Sequence, residues 1–589
     1  MREKGRIVMK EYAIITGGRC HYTVVGANLS DSCERYAASE LQKYLYESTG
    51  VFVPYISDRC ARRGPEILIG ADTRNGRDLV SEEELLELGD DGFLIKTLEE
   101  DILITGKTSR GTLYGVYEFL RRFAGFRAFT KDVEKVDALD GLIIPQIYVT
   151  EKPDFEYRDA YFRFAFDGAF CAKNRLNTTL GDISAEKGGS FKFFNCHHSF
   201  DDLVPPVVYF EEHPEYFAFH DGRRTKDQLC LSEPRVLEIA TAQVKSWIAE
   251  HPECRVFSVA QNDNERYCTC ERCRRIDEEE GSPAGSVIRF VNALAEEIEK
   301  EHPDILIHTF AYQYSRVAPK KARPKSNVIV RLCNIECEWG DSLEAVAKRD
   351  PEGKCAEFLE NIREWSEICD RLYVWDYAVN FSNYLQPFPC FYSMAENIRY
   401  YKQHGVKGVL QEGNFSYGGG ASLDDLKSYI IAGLLWNADA DVDLMIDEFC
   451  RGVYGNAAPY IKEYISVMTE AVKGYRMTLF DYPNAAYLND SLLDRCDEIF
   501  KRAIDAAEND EVRRRVEREY LAIRYSRIVR IADDKRRAEE TDAFAKDVRS
   551  FRLTEIMERI HLDDSFEYMK REQYATDRKG RYRMYYIVR

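Results

Sequence analysis

Between residues 154 and 437 the sequence alternates short β-branched or aromatic runs with helix-length amphipathic stretches, and this alternation restricts the fold more than any other feature. Candidate strands are Tyr157–Phe164, Lys192–Asn195, Arg255–Ala260, Ile305–Phe310, Val328–Leu332, Leu372–Trp375 and Gly408–Leu410. Helical patterns separate them, as at Glu233–Glu250, Ala284–Glu301, Cys355–Cys369 and Tyr392–His404. Strands joined through helices need crossovers and pair in parallel. About eight such units is the rhythm of a (β/α)8 barrel. Seven strands are read directly, and the eighth is placed near Gln228–Leu231. An open doubly wound sheet would call for a glycine-rich first turn, which the sequence lacks.

The flanks have a different texture. From about 10 to 150, strand-like runs at Tyr22–Val25, Glu66–Gly70, Gly92–Lys96 and Asp101–Thr105 alternate with helical patterns at Ser32–Thr49 and Thr112–Phe123. Three or four strands with two helices on one face make a small α+β domain. The segment RGTLYG, from Arg110, lacks the spacing and the Lys-Ser/Thr ending of a phosphate loop. Beyond about 440 the pattern is helical, at Val442–Tyr454, Ala458–Lys473, Asp490–Asn509 and Asp510–Glu540. The expected fold class is α/β: a (β/α)8 TIM barrel over 151–440, preceded by a small α+β domain over 10–150 and followed by an α-helical C-terminal region over 441–589. The charged C-terminal helices leave two expectations open, packing on the barrel or building a homodimer. The basic, tyrosine-rich tail Arg578–Arg589 is given no role.

Charge narrows the partners. The 82 Lys and Arg stand against 101 Asp and Glu, and a net charge of −19 repels phosphate backbones and anionic lipid. Neither nucleic acid nor membrane is an expected partner, and no stretch approaches the ~20 apolar residues of a spanning helix. The start, MREKGRIVMKEYAIITGG, has no apolar signal core. The 17 cysteines are odd in number and scattered, unlike a disulfide framework. A cytoplasmic protein with reduced thiols is expected, or a secreted one if a leader was trimmed from this start.

In a barrel, reacting groups come from the C-terminal strand ends and the loops after them. There the sequence places Gln261, Asn262, Asp263 and Asn264, then Tyr312, Gln313 and Tyr314, then Asn334, Glu336, Glu338 and Trp339. The next two strands end in Trp375, Asp376, Tyr377, Asn380 and Asn383, and in Gln411, Glu412, Asn414 and Tyr417. Each group has a bland reading, since Asp and Asn cap helices and a lone carboxylate can salt-bridge. Their recurrence at one point of the unit favours a site. Carboxylates, amides and aromatics on one rim fit glycosidic cleavage, which needs a proton donor and a second group supporting an oxocarbenium-like transition state. A 2-acetamido group on the sugar can itself be the nucleophile, the second carboxylate then polarising it.

His197 and His198 follow a strand, with His213, His220 and Arg223 downstream. No H-E-x-x-H accompanies them, so hydroxyl binding by His197 or His198 is expected ahead of metal, with plain structural packing the remaining reading. Cys268, Cys270 and Cys273 resemble half of a zinc site, but four ligands are needed and Cys254 should point to the opposite barrel end. The expectation is no cofactor and no metal, with zinc at Cys268, Cys270 and Cys273 as the weaker alternative.

The segments TGVFVPYI, EILIGADT and RGTLYGVYEFLRRFAGFRAF resemble the N-terminal domain shared by hexosaminidases and α-glucuronidases. The segments LVPPVVYFEEHPEYFAF, SVAQNDNERYCTCERC, IDEEEGSPAGSVIRFVN, VIVRLCNIEC, YVWDYAVNFSNYLQPFP and SYIIAGLLWNADADVDLMIDEFCRGVYG resemble glycoside hydrolase family 163. That family grew out of a domain of unknown function and includes endo-β-N-acetylglucosaminidases acting on complex N-glycans. The resemblance covers about 10–475 and points to Asp263, Asn264, Glu336 and Asp376. Many relatives read Glu-Gln-Gly where this chain has Gln411-Glu412-Gly413.

The expectation is therefore a glycoside hydrolase cleaving β-linked N-acetylhexosamine glycans or oligosaccharides, retaining and substrate-assisted. Glu336 would be general acid/base and Asp263 the polarising group, with Asp376 the alternative partner and Glu412 a further candidate. Sugar contacts are expected from Asn264, His197, His198, Arg158, Tyr312, Asn334, Trp375, Tyr377, Asn380 and Asn414. An α-glucuronidase-like inverting hydrolase, binding its uronate through Arg158, Arg223 or Lys173, is one alternative. A non-catalytic carbohydrate-binding barrel is the other.

Overall fold

The computed structural model describes residues 10–74 and 76–571. Most of the basic start, and the tail Arg578–Arg589, lie outside the described residues. The chain divides into two compact units: one holds the residues up to Glu156 with Phe164–Ser190 and Leu435–Asn437, and the other holds Tyr157–Arg163, Phe191–Leu434 and the chain from Ala438.

In the first unit a six-stranded sheet runs, edge to edge, Tyr148–Glu151, Phe93–Thr97, Ile102–Gly106, Glu66–Ile69, Thr23–Gly26, Tyr55–Ser57. The three- or four-strand expectation missed its two edges. A separate three-stranded antiparallel sheet joins Leu142–Pro145, Glu11–Thr16 and Arg19–Cys20. The helices Ser32–Thr49 and Ser109–Phe123 pack on one face of the larger sheet, burying Ala37, Leu41, Leu45, Leu113, Val116 and Leu120 against Val24, Ile67 and Ile104. Asp31 caps the first helix by accepting from the backbone N–H groups of Cys33 and Glu34. The glycine of RGTLYG serves contact: a Cβ on Gly111 would lie 2.3 Å from the Gly92 carbonyl oxygen.

The second unit is built on seven parallel strands: β1 (Tyr157–Tyr161), β2 (Phe193–Phe194), β3 (Val256–Ser258), β4 (Leu306–Ala311), β5 (Val328–Cys333), β6 (Leu372–Tyr377) and β7 (Gly408–Glu412). Their order is β1-β7-β6-β5-β4-β3-β2. All seven strands read from the sequence are present, and they form a curled half-barrel. The eighth is not where it was expected. Gln228 and Leu229 end an antiparallel hairpin, Phe217–His220 with Arg223–Leu229, in which Phe217 pairs with Leu229. Among the described residues no ladder joins β1 to β2, so the expected full (β/α)8 barrel becomes a seven-stranded sheet. Side chains bridge its two edges, the Tyr157 and Phe193 rings lying 5.0 Å apart.

Those rings belong to a buried layer crossing the sheet's concave side. The Arg331 guanidinium, from β5, lies 4.8 to 5.9 Å from the ring centres of Phe193, Trp375, Tyr157 and Tyr373, and donates to the Cys196 carbonyl. In β7, a Cβ on Gly408 would lie 2.7 Å from the Tyr373 ring. Only glycine lets that ring lie across the strand.

The C-terminal helices are Val442–Tyr454, Ala458–Val472, Asp490–Ala506, Asp510–Ile528, Asp534–Ser550 and Leu562–Lys570. The single helix expected over Asp510–Glu540 is two, the second capped by Asp533, which accepts from the Arg536 N–H. Among the described residues no helix is long and apolar enough to cross a membrane.

Candidate active site

The strands of the half-barrel end in step. Tyr161, Glu412 and Tyr377 are register partners at the last positions of β1, β7 and β6, and Cys333 pairs with Trp375. Strand side chains alternate faces, so Trp375, Tyr377 and Glu412 turn to the concave side. There they line a cavity of about 340 Å³ with Tyr161, His197, His198, Asp263, Phe310 and Tyr312. Cys333, Ile335, Phe381, Phe415 and Phe480 complete its apolar wall, and Glu558 and Arg559 reach it from the C-terminal region.

Glu412 is buried, and its Oε2 accepts from the Trp375 indole N–H at 2.7 Å. Burial, then the negative charge of Glu558, pushes its carboxyl up to about 8, against the opposing pull of the Trp375 N–H and Arg559. Glu412 therefore carries a proton at neutral pH and can donate it. Burial also raises the Glu558 carboxyl, with Arg559 opposing.

Asp263 is the third carboxyl group at the cavity, after Glu412 and Glu558, and it is exposed. Its Oδ1 accepts from the Tyr312 hydroxyl at 3.0 Å and the Gln313 amide at 3.4 Å. Its neighbours in the QNDN run build the loop that presents it. Gln261 is buried and donates to the Tyr312 carbonyl, while Asn262 and Asn264 donate to the Asp227 carbonyl at 2.9 and 3.0 Å. The Gln228 amide closes the loop from the hairpin side, donating to the Asn262 and Asn264 carbonyls. Asn264 is thus a loop anchor and not part of the cavity lining.

Burial lowers the pKa of both His197 and His198, leaving neutral imidazoles. His198 Nδ1 lies 2.5 Å from the Gln261 carbonyl. A carbonyl only accepts, so Nδ1 carries the proton and Nε2 is left as an acceptor for a ligand hydroxyl.

The structure does not bring Glu336 or Asp376 to this cavity. Glu336 lies in the exposed turn after β5, where its Oε2 pairs with Arg316 at 2.8 Å. Its place in the lining is taken by Ile335, which faces the other way. Asp376 points to the opposite face of β6. It is 1% exposed and accepts from five donors: Asn334, Trp339 and its own strand's Tyr377 N–H at Oδ1, and Tyr401 and Gln411 at Oδ2. Asn334 is consumed by that network, and Glu338 pairs with Arg476.

Asn380 donates to the Asp481 carbonyl, and Asn414 to the carbonyls of Gly420 and Glu555, so both brace loops. Arg158 is wholly buried within β1 and lies outside the cavity lining. Arg223 is exposed on the hairpin, and Lys173 pairs with Glu134 in the first unit. The cation that does line the cavity is Arg559.

Glu558, Arg559 and Phe480 were not legible as site residues. Residues 551–561 form an irregular link between the last two long helices, tied down by hydrogen bonds from the Thr554 N–H to Gly418 O at 3.0 Å and from the Tyr384 N–H to Ile556 O at 2.9 Å. Phe480 is held in the same way, the Phe381 N–H donating to Leu479 O at 2.7 Å. The available signal was a charged stretch, 551–561, between two amphipathic helices.

The sequence profile described as Domain of unknown function (DUF4838) matches residues 128–466, and that of the glycosyl hydrolase family 67 N-terminus matches residues 21–119. Among solved structures, a family GH115 4-O-methyl-α-glucuronidase with specificity for decorated arabinogalactans superposes with a TM-score of 0.57 at 11% identity, over 92% of this chain and 77% of that one. A GH138 enzyme targeting pectin rhamnogalacturonan II gives 0.48 at 10% identity, over 94% of this chain and 98% of that one. No curated protein matches the sequence. The GH115 likeness is one of fold.

Proposed function

The chain belongs to the DUF4838 family, and from that premise we propose that it is a glycoside hydrolase with Glu412 as the general acid. One observation carries the reading: a carboxyl pushed up to about 8 faces the same aromatic-lined cavity as a second, exposed carboxylate, Asp263. Glycosidic cleavage needs such a pair, one group protonated to release the leaving oxygen and one charged on the reacting sugar. Trp375, Tyr377 and Phe415 offer apolar faces to a pyranose ring, and His198 Nε2 offers an acceptor to its hydroxyls.

The proposed substrate is a β-linked N-acetylhexosaminide, as the likeness to glycoside hydrolase family 163 implies. Glu412 protonates the glycosidic oxygen as that bond breaks. The substrate's acetamido oxygen closes on the anomeric carbon, while Asp263 holds the amide N–H. Water then opens the resulting ring, giving a proton back to Glu412 and retaining configuration. A second reading, inverting cleavage of an α-linked uronide, is favoured by one feature, the Arg559 guanidinium in the cavity.

Both readings are tested by a panel of aryl β-N-acetylglucosaminide, β-N-acetylgalactosaminide, β-glucoside and α-glucuronide with a released complex N-glycan. Turnover of an acetamido sugar should fall ~10²–10⁴-fold in Glu412→Gln and in Asp263→Asn, the usual worth of general acid–base catalysis. Glu336→Gln should keep most of it. Selective turnover of the uronide would replace the first reading with the second. Activity that survives both substitutions in the cavity would remove the residue assignment. A folded chain that binds sugar without turning any over would leave a carbohydrate-binding protein.

A further inference from the structure

Four cysteine thiols converge outside the cavity. Cys230 follows the hairpin strand Arg223–Leu229, while Cys268, Cys270 and Cys273 lie on the segment that leaves the Asp263 loop and enters the helix Glu271–Glu280. Their Sγ atoms all lie within 4.8 Å of one another, with Cys230 at 3.8 Å from Cys270 and 3.9 Å from Cys273. A tetrahedral centre with Zn–S bonds of about 2.3 Å has S···S edges of about 3.8 Å. A disulfide would need about 2.05 Å, and all four cysteines are free.

The surroundings suit thiolates. The Phe219 N–H donates to Cys268 Sγ at 3.3 Å, and the Arg224 guanidinium lies 3.9 Å from the same sulfur. Such outer donors offset charge on a metal-bound sulfur. Cys254, the fourth ligand considered from sequence, lies before β3 beside the Glu253 carboxylate and outside the cluster. The hairpin supplies the missing ligand.

We propose that Cys230, Cys268, Cys270 and Cys273 bind one Zn²⁺ as a closed tetrathiolate site. Four protein ligands leave no open coordination position, so the site is structural and takes no part in the chemistry. Its place gives it a task. Two ligand-bearing segments, the hairpin end and the chain after the Asp263 loop, are already joined by the Gln228 amide. A metal bonded to both fixes the loop that presents Asp263.

The test is metal content, which does not depend on the glycosidase reading. The full chain, purified from zinc-supplemented medium, should carry about one zinc per molecule. Cys230→Ser and Cys270→Ser should lose it, and Cys254→Ser should retain it. Because a ligand variant can fail to fold, the wild type is also exchanged with Co²⁺, which should give the visible and sulfur-to-cobalt bands of a tetrahedral tetrathiolate. Chelation should speed amide hydrogen exchange across residues 259–273. The proposal is overturned by a folded wild type with under about a tenth of an equivalent of zinc and no such cobalt spectrum. One bound iron in place of zinc, zinc loss in Cys254→Ser, or unchanged exchange on chelation would each overturn it as well.

Discussion

At Glu412 the groups that set acidity, Asp263, Trp375 and the pair Glu558 and Arg559, come from three parts of the sequence. Burial and Glu558 raise its carboxyl from the ordinary 4.5 to about 8, while the Trp375 N–H and Arg559 act the other way. The folded chain therefore keeps a proton that the unfolded chain releases above about 4.5, and the associated stability, complete below that pH, is lost as pH rises through about 8. The proposed acid fails over the same range, so kcat/KM should fall above about pH 8. Glu558→Gln should move this alkaline limb down and Arg559→Gln should move it up. Limbs that coincide in all three proteins would exclude Glu412 as their source. Asp376→Asn is a different case. It sets an amide N–H₂ among five donors and should cost ~1–3 kcal/mol of stability, read as a lowered denaturation midpoint. Asp263→Asn should lower turnover with the midpoint kept.

At the scale of elements, much of the half-barrel was legible, because seven apolar runs and their crossovers obey simple periodicities. The faces were legible too, but were not used. In LYVWDYAV the aromatics Tyr373, Trp375 and Tyr377 alternate, which turns Asp376 to the far side of the sheet. The same alternation separates Gln411, on Asp376, from Glu412, in the cavity. Glu558 and Arg559 could not be found by this route, since residues 551–561 have no periodicity and their position depends on hydrogen bonds to loops far away in sequence. The eighth strand was misplaced because a hairpin and a barrel strand share one local pattern over Gln228–Leu231. Gly408 tests how tightly the half-barrel is filled. Gly408→Ala would push a methyl to 2.7 Å from the Tyr373 ring and should cost ~1–3 kcal/mol in chemical denaturation. A neutral result would show that the ring has room to move.

For the molecule as a whole the dominant quantity is its net charge of −19. A field of that sign slows the approach of anionic ligands, and salt screens it. Raising ionic strength should therefore increase kcat/KM for a uronide and leave that for a neutral acetamido sugar nearly unchanged. Equal salt responses for the two would show that the whole-molecule field does not reach the cavity. Against this negative exterior, Arg331 is a positive charge sealed among aromatic rings, one of them the cavity's own Trp375. Burial first, and the Arg331 charge after it, lower the pKa of His197 and of His308, so the cavity floor disfavours any incoming hydron. In the proposed retaining cycle the attacking water hands its proton to Glu412 inside the cavity. The hydron therefore arrives with the nucleophile, and none has to cross that floor.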